Sequence, residues 1–189
     1  MLMKTFLRML SIFVFLSIGS YGCFFLYEIM KMDWALIVGM IMGYTAIHFV
    51  LMFISAPIVF LFFRMKYNYH HCWFEPKKFE KKLYRIFKVK KWKNKIPTYD
   101  SRAYSLSEQN IMKAIQMTCH AEIVHEVIAV LSYLPVLFGL VISKWELLIV
   151  LSTVFSMIHL LFSTVQRYNR PRLIRHYERI QKSKLISEK

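Results

Sequence analysis

Cysteine is scarce in this 189-residue chain, and its three copies, Cys23, Cys72 and Cys119, form no Cys-X-X-Cys pair. An odd, scattered set excludes a disulfide framework and a zinc ribbon. Acidic residues are scarce as well: 11 Asp and Glu stand against 26 Lys and Arg, a formal net charge of +15. The zinc-protease pattern His-Glu-X-X-His is missing, because Ala121 separates His120 from Glu122. Glu122 and His125 form the one Glu-X-X-His in the chain, so the doubled motif of a di-iron helix bundle is missing too. His70, His71, Cys72 and His120 leave a metal site open, although clustering alone is weak evidence for one.

Apolar residues are plentiful, at 57% of the chain, and they come in long runs. A bilayer is crossed by about 20 such residues rising 1.5 Å each. A basic nucleic-acid-binding domain has no need of such runs, so nucleic acid is not an expected partner. The patterning predicts an all-α integral membrane protein, a single membrane domain over residues 1–189 with four transmembrane helices at about 6–27, 34–63, 122–142 and 147–165. The second run is overlong and either tilts or breaks near Pro57, and Pro135 marks a kink in the third.

Charge assigns the sides. Residues 64 to 113 hold fourteen Lys and Arg against four acids, and residues 167 to 189 hold eight against two. The two short connections carry only Lys31 and Lys144, each near an acid. The positive-inside rule therefore predicts a multi-pass protein of the cell membrane with a cytoplasmic segment at 64–118, a cytoplasmic tail at 167–189 and both termini inside. Lys4 and Arg8 ahead of an apolar core also resemble a signal peptide, but Cys23 to Tyr27 continue the apolar run, which favours a retained anchor.

Within the cytoplasmic segment, Phe79, Leu83, Ile86 and Phe87 recur at helical spacing among Lys78, Lys81, Lys82 and Arg85, the pattern of an amphipathic helix on an anionic membrane surface. Lys91, Lys93 and Lys95 then bracket Trp92 and are expected to hold the phosphates of an acyl carrier such as coenzyme A. Ser105 and Glu108 fit a capping box that opens a helix running on into the third span. In the tail, Pro171 suits the first turn of a new helix, whose stripe of Leu173, Tyr177 and Ile180 is expected to lie on the membrane.

Titratable groups at membrane depth are costly and are functional candidates by default. Glu122 and His125 share a helical face at the mouth of the third span, while His120 points well away. One reading is a structural pair of interfacial charges; the other is a general base, His125, oriented by Glu122 for acyl transfer to a hydroxyl. Counting equally back and forward from Lys144 and Trp145 sets Glu122 opposite Arg167, and His125 opposite Thr164. Arg167 and Arg170, three apart, share a face beside the carboxylate, with Arg167 the expected charge stabiliser. His48 and His159, deeper in their spans, are expected to be packed core residues.

The strings KVKKWKNKIP, AEIVH and VQRYNRPRL resemble the glycosyl-4,4'-diaponeurosporenoate acyltransferases, small integral membrane proteins of pigment synthesis, over roughly Phe74 to Leu173. The resemblance implies an enzyme that esterifies the sugar C6 hydroxyl of a glycosylated carotenoid with a fatty acyl group, completing a staphyloxanthin-type pigment at the cell membrane. Lys91, Trp92, Lys93, Lys95, Glu122, His125 and the string from Gln166 to Arg172 fall on matching positions. The expected catalytic set is then His125, Glu122 and Arg167. The expected substrate-binding set is Lys91, Trp92, Lys93, Lys95, Gln166, Asn169, Arg170 and Arg172. Expected partners are membrane lipid, a sugar acceptor linked to a lipid or carotenoid, and acyl-CoA or another acyl donor as co-substrate, with no bound cofactor and no metal. A competing reading is a non-catalytic membrane module that binds anionic lipid or a partner enzyme.

Overall fold

The computed structural model describes residues 2–92, 108–137 and 145–187. All regular structure in those residues is helical: α1 (Leu2–Met30), α2 (Asp33–Phe63), α3 (Lys78–Ile86), α4 (Val89–Trp92), α5 (Glu108–Leu131) and α6 (Trp145–Ser187). Four of these, α1, α2, α5 and α6, are long and apolar enough to cross a membrane, as the hydropathy pattern predicts. Lys93, Lys95, Pro97, Ser105 and Lys144 lie outside the described residues.

Prolines set some helix boundaries and not others. Pro135 brings no N–H to the Leu131 carbonyl, and α5 ends at Leu131, with a turn at Ser132 and Tyr133 before a short helical stretch at 134–137. Pro57 lies inside an unbroken α2. Pro171 likewise lies inside an unbroken α6, which corrects the expectation of a separate tail helix starting there. An interior proline costs about 3 kcal/mol. Here the helix is held on both sides of it: Arg170 is fully buried in hydrogen bonds, and Leu173 is buried against Ile111 and Ile115 of α5. The stripe of Leu173, Tyr177 and Ile180 thus packs on α5 and not on a membrane surface.

The chain divides into two compact units, Met1–Ser55 with Ile128–Ser156, and Ala56–Val127 with Met157–Lys189. In the first, α1 and α2 approach closely at a small-residue seam. A Cβ on Gly43 would lie 2.7 Å from Ser20 Oγ, and one on Gly39 would lie 3.1 Å from Cys23 Cβ. Ser20 Oγ donates to the Gly39 carbonyl at 2.8 Å. Glycines four apart that let backbones touch are a recurrent device of membrane helix pairs. Leu36, Met40, Tyr44 and Leu148 form this unit's core. The Tyr44 hydroxyl donates to the Ser132 carbonyl at 2.6 Å and lies 3.2 Å from Ser152 Oγ. That contact caps the point where α5 stops.

In the second unit the chain leaves α2 through two left-handed residues, Arg64 (φ 46°) and Met65 (φ 57°). Neither is glycine, so contacts made by the neighbouring residues must hold the conformation. The Tyr67 backbone is clamped by the Gln116 amide, N–H to Oε1 at 2.7 Å and Nε2 to carbonyl at 3.0 Å. The Tyr67 hydroxyl meets His120 Nδ1 at 2.8 Å, while burial pushes the phenol up to about 12 and keeps it neutral. Residues 66–77 are thereby laid along α5.

Candidate functional site

Glu122 of α5 is fully buried, and each of its carboxylate oxygens accepts from a different arginine of α6: Oε1 from Arg167 Nη1 and Oε2 from Arg170 Nη2. The helical spacing of three between Arg167 and Arg170 makes this bidentate grip possible. Thr118, one turn before Glu122, receives Arg170 Nε at its hydroxyl (3.0 Å) and Nη2 at its carbonyl (3.1 Å). The Phe74 ring lies under the same guanidinium, 4.8 Å from centroid to Cζ. The register counted from the sequence, Glu122 opposite Arg167, is realised in these contacts.

A second carboxylate joins the cluster from α3. Glu80, 5% exposed, accepts from Arg167 Nε at 3.1 Å and Nη2 at 2.6 Å, and from the Tyr84 hydroxyl at 2.6 Å. Burial alone would raise its pKa; the hydrogen bonds from Arg167 and Tyr84 and the guanidinium charge outweigh burial and hold it below the usual carboxylate range. Two carboxylates and two guanidinium groups make the buried cluster formally neutral. Such neutrality matters because an unpaired charge at this depth would cost several kcal/mol.

The arginines also fasten the backbone of the segment before α3. The carbonyls of Trp73 and Glu75 accept from Arg167 Nη1 (2.8 Å) and Nη2 (3.2 Å), and the Phe74 carbonyl accepts from Arg170 Nη1 (3.2 Å). Arg167 has five N–H groups, and all five are engaged. It supplies positive charge but no free donor. Arg170, expected to bind substrate, is fully buried, and its donors are spent on Thr118, the Phe74 carbonyl and Glu122.

Next to this framework lies a groove of about 810 Å³ in the same unit, lined on its polar side by Trp73, Glu80, Glu126, Ser163 and Arg167. Glu126 accepts from Trp73 Nε1 at 3.1 Å through one oxygen and from Ser163 Oγ at 3.2 Å through the other. A carboxylate has about four acceptor directions, so these bonds fix Glu126 without exhausting it.

His125 turns elsewhere. Its Nδ1 lies 3.1 Å from His159 Nδ1, and its ring packs 5.1 Å from that of Phe162. The expected orienting partner, Glu122, is taken by two guanidinium groups, which attract a buried carboxylate more strongly than a neutral imidazole can. His159, expected to be a packed core residue, is the group that meets His125. Gln166 and Asn169 are buried, and Arg172 lies over the Tyr168 ring at 4.0 Å. Lys91 is exposed on α4, and Trp92, whose Nε1 donates to the Phe87 carbonyl at 2.8 Å, lines the groove. Among the described residues no three His, Cys, Asp or Glu side chains are grouped to hold a metal ion.

Sequence reasoning missed Glu80 and passed over Glu126. Glu80 stands in the string KKFEKK, where a single acid among lysines looks solvated. The available signal was its i,i+4 spacing to Tyr84.

The family model of the glycosyl-4,4'-diaponeurosporenoate acyltransferases matches residues 70–179, more than half the chain and every residue of the cluster and the groove wall. The chain belongs to this family. It is an acyltransferase of carotenoid synthesis. No curated protein and no solved structure matches the chain. The matched region begins after α2 and includes the charged cluster, α3, α4, α5 and most of α6.

Proposed function

We propose that the protein is a membrane-bound O-acyltransferase that esterifies the sugar C6 hydroxyl of a glycosylated carotenoid, or of a similar glycolipid, with a fatty acyl group. Membership of the family and four membrane-length helices support this reading. The basic segments face the cytoplasm, where an anionic donor such as acyl-CoA meets Lys91, Lys93 and Lys95.

The observation that carries the chemistry is a carboxylate, Glu126, held at the wall of a groove beside a fixed guanidinium, Arg167. The sugar oxygen bonds to the acyl carbon as its proton passes to Glu126. The leaving thiolate or alkoxide departs with the electron pair and takes up that proton. Arg167 acts through its charge on the oxygen that becomes negative, and Glu122 and Glu80 act through Arg167 as positioning residues. Groove position favours Glu126 over His125 as the base, because His125 is turned to His159 and Phe162. General-base removal typically costs about 10² to 10⁴ in rate.

The test supplies long-chain acyl-CoA and a glycosylated carotenoid acid to membranes holding the full chain and detects the ester by mass. Wild type forms the ester, Glu126→Gln loses at least about a hundredfold, and His125→Ala loses far less. No ester from wild type with any acyl donor sinks the reading. Full activity in Glu126→Gln removes the base assignment, and loss in His125→Ala alone transfers it to the imidazole.

A further inference from the structure

The groove beside Glu126 has more apolar wall than an acyl carbonyl and a hydroxyl need. Phe79 and Leu83 of α3 and Phe87 just after it line it from one side and Leu160 and Leu161 of α6 from another, with Trp92 of α4. Phe79, Phe87 and Leu160 are 63%, 60% and 49% exposed, so these side chains are not filling a core of their own. The volume of about 810 Å³ falls within the 300–1,000 Å³ common for small-molecule sites. The apolar and polar walls adjoin along α6: Leu160 and Leu161 lie about two turns before Arg167, with Ser163 between them.

We infer that this groove holds the hydrocarbon tail of the acyl donor, with the donor's carbonyl at the wall formed by Trp73, Glu126 and Ser163. The inference rests on the acyltransferase reading and adds which substrate lies where. The order of the walls decides between the two substrates. In an acyl donor the reacting carbonyl is the first carbon of the apolar chain, so polar and apolar walls must adjoin. In a glycosylated acceptor a whole sugar stands between the reacting hydroxyl and the apolar body, which requires a broad polar surface, whereas the surface this groove exposes is mostly apolar. Electrostatics agree: the guanidinium of Arg167 sits at the polar side, while Phe79, Leu83 and Phe87 offer only carbon to a chain that carries no charge.

The experiment uses the full chain in lipid nanodiscs. Palmitoyl-CoA bearing a diazirine near the end of its chain is photolysed in the site and the attachment is mapped by mass spectrometry. In parallel, Leu160→Trp and Leu161→Trp are assayed with palmitoyl-CoA and octanoyl-CoA, with Leu160→Met as a control that keeps the volume. The inference expects attachment within α3 and around Leu160 and Leu161. It also expects kcat/KM to fall about tenfold or more for palmitoyl-CoA and less than about twofold for octanoyl-CoA in the Trp variants. Attachment elsewhere with an unchanged chain-length preference overturns it. So does a rise in acceptor KM alone in the Trp variants, which would give the groove to the acceptor's polyene. If wild type transfers no acyl group, the enzymatic reading fails by itself; attachment within α3 and α6 would then still establish the acyl chain's position, and its absence there would refute that too.

Discussion

The two units are held together by opposite chemistry. Met1–Ser55 with Ile128–Ser156 relies on close backbone approach at Gly39 and Gly43 and on neutral hydrogen bonds from Ser20 and Tyr44. Ala56–Val127 with Met157–Lys189 relies on two carboxylates locked to two guanidinium groups. Neutral contacts fail by degrees, because each lost partner leaves a small dipole unsatisfied. A buried charge network fails as a unit, because removing one member leaves its partners charged and unpaired. The family match, residues 70–179, takes in the whole charged network.

The largest effect that could break this contrast comes from Glu122→Gln. It leaves Arg167 and Arg170 without the carboxylate that joins them and is expected to cost about 3–5 kcal/mol. Unfolding of the full chain in mild detergent, followed by circular dichroism, measures it. A loss no greater than that of Gly43→Ala or Tyr44→Phe would mean the network is solvated and the contrast false. Gly43→Ala comes next. Its Cβ would lie 2.7 Å from Ser20 Oγ, and overpacking of this kind costs about 1–3 kcal/mol. The partner substitution Ser20→Ala clears the oxygen and is expected to recover part of that loss, read by the same unfolding curves. Tyr44→Phe removes the hydroxyl contacts to the Ser132 carbonyl and Ser152 Oγ and is expected to cost about 0.6 kcal/mol for each, the average for such bonds in a membrane protein.

The parts that were legible in the sequence are those set by length, periodicity and arithmetic. Four apolar runs gave four helices, and counting equally back and forward from Lys144 and Trp145 paired Glu122 with Arg167, because antiparallel helices rise equally per residue. Choices between partners were not legible. Spacing allowed Glu122 either His125 or the arginines, and only packing shows that both guanidinium groups reach it first. The continuity of α6 through Pro171 was hidden for a similar reason: local propensity ends the helix there, and tertiary burial of Arg170 and Leu173 overrides it. Glu80 was hidden by its lysine neighbours, since a charge pattern does not reveal which side of a short helix is covered.

The finest test of the contrast is pH, to which the neutral hydrogen bonds of Ser20 and Tyr44 should be indifferent. Arg167 and Tyr84 hold the Glu80 pKa below the usual carboxylate range despite burial. A carboxylate with a lowered folded pKa contributes stability that is fully present above its unfolded pKa and is lost as pH falls through the folded one. Acid should therefore weaken the second unit below the ordinary carboxylate range. Tyr84→Phe removes the hydroxyl that donates to Glu80 at 2.6 Å, so the folded pKa moves up towards the unfolded one, and the acid loss becomes smaller and is complete at higher pH. Glu80→Gln should flatten this part of the acid limb while lowering stability at neutral pH. Unfolding midpoints measured from pH 7 down to about 3 separate these outcomes. An acid limb unchanged in both variants would mean that Glu80 is protonated or solvated, and that Glu122 is the one carboxylate holding Arg167 by charge.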